Sequence, residues 1–128
     1  MKTEVIYNSD LHFEHMHWKK ELLFWKDEIK SFQNRLDELV NRWTDKSVLK
    51  ELSAFQNSFI IHRNNIDHCM EEIDAHELNI AKHYEIEKNV IDIPDLKKHN
   101  EYRERIETER GIFNELKKEF FQFLSKYM

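Results

Sequence analysis

Glycine and proline are nearly missing from this chain: Gly111 and Pro94 are the only ones in 128 residues. A sheet needs frequent chain reversals, and reversals draw on Gly, Pro and Asn-Gly pairs, so a strand-rich fold is excluded. The single cysteine, Cys69, allows neither an intramolecular disulfide nor a zinc-type cysteine pair. A reducing, cytoplasmic setting is the expectation. No apolar run approaches the roughly 20 residues of a membrane span, and Met1 to Leu11 lack the basic start and apolar stretch of a signal peptide. Basic blocks are missing too. With Lys and Arg at 20 against Asp and Glu at 25, the formal net charge is -5. Neither nucleic acid nor an anionic membrane is therefore an expected partner. A glycine-rich phosphate loop is absent, and a chain with scarcely any loop leaves few places for loop-borne catalytic groups. A non-enzymatic protein without a cofactor is expected.

What the chain does contain is charge at 35% of residues alternating with apolar side chains at helical spacing. After the capping pair Ser9-Asp10, steps of four and three run through Leu11, His15, Trp18, Leu22, Trp25, Ile29, Phe32, Leu36, Leu39 and Trp43. Glu14, Glu21 and Glu28 flank this seam on one side, and His12, Lys19 and Lys26 on the other. Thr44 or Asp45 caps a second helix that runs to about Ile91, with Asn64-Asn65 as its weakest point. Pro94 then opens a third helix with the seam Tyr102, Ile106, Glu109, Phe113, Leu116, Phe120, Phe123, Tyr127. One domain over residues 1–128 is expected. It is all-α: an up-down-up antiparallel three-helix bundle, helices about 10–43, 46–91 and 95–127, coiled-coil-like, with a longer central helix.

Closing both turns tightly sets a register in which Glu109 is level with Leu78 and Tyr127 with Ile60. Leu36, Leu39, Trp43, Leu49, Leu52, Phe55 and Phe59 would then lie beyond the reach of helix three. Such an uncovered apolar end calls for a second copy, hence an expected homodimer acting as an interaction or assembly protein.

One column of helix two departs from scaffold. At heptad spacing it reads Phe55, His62, Cys69, His76, His83, Val90, beside the ordinary seam Leu52, Phe59, Ile66, Ile73, Ile80. Imidazoles there occupy positions that normally hold Leu or Ile. His15 and Glu109 are expected at the level of His76, so the alternative to an assembly protein is a metal-binding bundle with His15, His76 and Glu109 as ligands. Spacings such as His17/Glu21, His68/Glu72 and His83/Glu87 arise by chance in a chain this rich in Glu and His. The bland reading of the column is a hydrogen-bonded polar layer that fixes register, with Cys69 a small buried hydrophobe. A third reading makes the histidines a proton-sensitive layer. Arg103, Arg105, Arg110, Lys117 and Lys118 alternate with glutamates and read as a solvated, self-paired face of helix three.

Overall fold

The computed structural model describes residues 8–86 and 93–127, and for residues 8, 9, 80, 81, 83–86 and 93 the backbone alone. The expectation for His83 therefore falls outside the described side chains. Three helices account for the fold: α1 Asn8–Val40, α2 Lys46–Ile86 and α3 Ile93–Tyr127. The chain is an all-α three-helix bundle, and α2, with 41 residues, is the longest element. None of the described helices is long and apolar enough to cross a membrane.

Local chemistry explains the boundaries. α1 stops at Val40, three residues before the end of its apolar seam, and the Arg42 and Trp43 amides return to the Leu39 carbonyl in a tight turn. Asp45 caps α2: its carboxylate accepts from the Ser47 amide at 2.8 Å and from the Ser47 hydroxyl at 2.7 Å. α2 continues through Asn64 and Asn65, both of which face solvent, where Asn costs a helix little. It is described to Ile86, short of the expected Ile91, while α3 starts at Ile93, before the expected 95. Pro94 lies in the first turn of α3, where its missing N–H is not needed.

Ion pairs give the directions. Glu14, Glu21 and Glu28 of α1 meet Arg103, Arg110 and Lys117 of α3, each partner 89 residues on, so α1 and α3 run parallel. Lys19 with Asp74 and Lys26 with Asp67 run in opposite senses, so α1 and α2 are antiparallel. The basic residues of α3 thus correct the expectation of a self-paired face: Arg103, Arg110 and Lys117 reach across to α1, and Arg105 reaches Glu72 of α2.

The register of α3 also departs from expectation. Tyr102 packs on His76, Phe113 stacks on His62, Phe120 meets Phe55 and Phe59, and Tyr127 meets Trp43. Relative to tightly closed turns, α3 is slid toward the first turn by roughly three helical turns. The slide brings Phe120, Phe123 and Tyr127 onto Phe55, Phe59 and Trp43, and burial of that much aromatic surface outweighs a short second connection. Leu36, Leu39, Leu52 and Phe59 are fully buried as a result. The uncovered end from which a homodimer was expected does not exist: α3 covers it.

Candidate metal centre

Among the described residues, five polar side chains are buried: His15, His62, His76, Asp95 and His99. Three of them converge. His15 comes from α1, His76 from α2 and His99 from α3, and one ring nitrogen from each lies within 4.8 Å of the other two. The ring centroids are 5.1 Å apart for His15–His76, 4.8 Å for His15–His99 and 5.9 Å for His76–His99. Trp18 stacks against His99 at 4.8 Å, and Tyr102 closes on His76 at 5.2 Å. Two aromatic rings therefore pack against the cluster at the end of the bundle where α1 and α3 begin.

Each imidazole is held differently. His15 Nε2 and His99 Nδ1 are 2.8 Å apart and share one proton. The other nitrogen of His99, Nε2, bonds the Glu14 carboxylate, which Arg103 grips through Nε at 3.0 Å and a terminal nitrogen at 2.7 Å. His15 Nδ1 is 3.8 Å from Glu77 Oε1, an oxygen that also takes the ring of His12. A carboxylate thus stands behind His99, the arrangement that orients ligating histidines in metal proteins, whereas His15 Nδ1 is buried without a hydrogen-bond partner. His76 has no such support: both of its nitrogens are buried without a hydrogen-bond partner.

Burial sets the protonation state. It pushes His15 down to about 3, helped by the neighbouring His99 and His76. His76 is lowered first by burial and then by His99. His99 is lowered by burial against the opposing pull of Glu14. Burial works to raise the Glu14 carboxyl, but hydrogen bonds from Arg103 and His99 together hold it below the usual range. At neutral pH the trio is uncharged, the form that ligates metal once the hydrogen bond between His15 and His99 opens.

Of the residues singled out in the sequence, the structure brings His15 and His76 together and sends Glu109 elsewhere. Glu109 Oε2 lies 3.3 Å from His62 Nδ1, about 21 Å along α2 from His76 at 1.5 Å per residue. The slide of α3 is the cause: it moves Glu109 past the His76 level and puts His99 there instead. His99 was legible in principle. Extending the α3 seam one step of three back from Tyr102 lands on His99, in line with His15 and His76 on their own seams. Cys69, fully buried and with its thiol raised by burial, lies apart from the cluster.

No protein-family model, curated protein or solved structure matches this chain. Three imidazoles at 2.0–2.1 Å from a tetrahedral ion would have nitrogens roughly 3.3 Å apart. The present spacing, 2.8 Å for one pair and up to 4.8 Å overall, reaches that by side-chain rotations of about an ångström.

Proposed function

We propose that this protein is a metal-binding helical bundle that holds one divalent transition-metal ion between His15, His76 and His99. The observation that carries the reading is His76, a fully buried imidazole with neither nitrogen satisfied, aimed into a cluster of two further histidines. A buried polar atom without a partner costs about 1–3 kcal/mol, and a metal bond removes that penalty. An all-imidazole set suits zinc, copper, nickel or iron rather than calcium or magnesium. The lone buried thiol of Cys69 fits a reducing, cytoplasmic setting.

The test uses protein purified without a histidine tag, with Trp18 as internal reporter because it stacks on His99. One equivalent of Zn(II) is expected to bind by calorimetry, and Cu(II) to quench Trp18 fluorescence to a one-to-one endpoint. Binding should vanish in His76→Ala and His99→Ala but persist in His62→Ala. Metal uptake indifferent to these substitutions ends the reading.

A second reading, an assembly protein that pairs with its own copy, draws support from a different place than the sequence suggested. Phe13, Met16, Leu23 and Phe24 lie on the outer face of α1, with Phe13 76% and Phe24 62% exposed. Light scattering at micromolar concentration is expected to give a dimer under this reading, dissociated by Phe13→Glu. A clean monomer removes it.

A further inference from the structure

The set of donors around the ion is incomplete. Among the described residues, the cluster of histidine, cysteine and carboxylate atoms within ligand range has three members, all imidazoles. Two of the neighbouring carboxylates are committed to the far nitrogens: Glu14 to His99 Nε2 and Arg103, Glu77 to His12 and the Nδ1 side of His15. Three protein ligands leave a four-coordinate ion with one open position, as in catalytic rather than structural sites. Charge adds a second condition. The imidazoles bring none and Arg103 already neutralises Glu14, so among the described residues a dication would have Asp95 and Glu77, the two carboxylates that bear on His76, to balance it.

Between α2 and α3 a groove of about 490 Å³ reaches this level, with His76 and Tyr102 in its wall and Asn79, Lys98, Glu101 and Arg105 around it. Arg105 is tied to Glu72, whereas Lys98 is exposed and close enough to bear on the charge of His76. We propose, resting on the metal-binding reading, that the fourth coordination position takes a small inorganic anion, entering by the α2–α3 groove past His76 and Lys98. An ion held by His15, His76 and His99 would supply Lewis acidity to the oxygen donor that fills that position. The consequence is a reactive centre with an exchangeable ligand rather than a sealed structural one.

The experiment loads the full chain with Co(II), whose visible bands report coordination, and titrates azide at constant ionic strength. A saturable spectral shift with a single azide is expected. Lys98→Glu, a change on the exposed surface, is expected to weaken azide roughly three- to ten-fold through reversed charge near the position. Stoichiometric Co(II) with bands unmoved by azide overturns the proposal and leaves the metal-binding reading intact. Failure to retain Co(II) at all overturns both. Equal azide affinity in Lys98→Glu overturns the placement of the open position on the groove side, beside Lys98.

Discussion

His76 is where the metal-binding reading and the polar-layer reading give opposite answers. If the imidazole were there to fix register, replacing it by Leu would destabilise the bundle by removing a hydrogen bond. With both nitrogens unpartnered, His76→Leu is expected instead to stabilise the metal-free protein by about 1 kcal/mol or more while abolishing metal uptake. Urea midpoints of the two metal-free proteins decide it. The other buried dyad makes a separate prediction. His62 is held below its ordinary 6.5 by burial, so its contribution to stability is full above 6.5 and is lost as pH falls below that value. Glu109 runs the other way. Burial raises its carboxyl above 4.5, against the lowering effect of Arg105. Its contribution is therefore full below 4.5 and lost as pH rises through the raised value. Glu109→Gln is expected to unfold at a higher midpoint than the parent at pH 8, the margin shrinking toward pH 4.5. A margin constant over that range would mean that the carboxyl is not penalised by burial. At this scale the sequence showed His15 and His76, because each interrupts an otherwise apolar seam. It concealed the pairing of His99 with them, because the partner of a seam position depends on a slide between helices that periodicity does not encode.

Among elements, the ladder of Glu14–Arg103, Glu21–Arg110 and Glu28–Lys117 repeats at heptad spacing along two parallel helices. Such partly exposed pairs contribute little singly, about 0.2–1 kcal/mol, but they oppose any slide of α3 by one turn. Arg110→Glu is expected to lower stability modestly and Glu21→Arg in the same chain to restore most of the loss. A double-mutant cycle in low and high salt reads the coupling, and a cycle that closes to zero in low salt would show the ladder to be incidental. The start of α2 was legible in Asp45 and the start of α3, to within two residues, in Pro94, whereas α1 stops three residues short of its seam. The slide was not, because it is decided by the meeting of Phe120 and Phe123 with Phe55 and Phe59, a contact between segments more than sixty residues apart in sequence. Gly111 gives a cleaner case of local control. A Cβ there meets nothing within 4 Å, so Gly111→Ala is expected to stabilise by roughly 0.5–1 kcal/mol through helix propensity alone. An unchanged or lower unfolding midpoint would contradict it.

For the whole molecule, metal binding is linked to folding, since the three ligands meet only when all three helices are in register. Zn(II) at about a thousand times its dissociation constant is expected to add roughly 4 kcal/mol of stability, reversed by chelator and absent in His76→Leu. A thermal midpoint indifferent to Zn(II) in the parent protein would contradict the site. That the chain is an all-α bundle of three helices was legible, since one Gly, one Pro and four-three seams favour a few long amphipathic helices over a sheet. Self-association was inferred from a register that the bundle does not adopt.

The two ends of the core differ in kind. One is packed with Phe32, Phe55, Phe59, Phe120 and Phe123, and the other holds a trio of imidazoles with unmet hydrogen-bonding demand. Such a rod unzips from one side. Without metal, amides flanking His76 and His99 should exchange with deuterium well before those flanking Phe59 and Phe120. With metal the gradient should flatten, so that the ion works as a clasp on the end that would otherwise fray first.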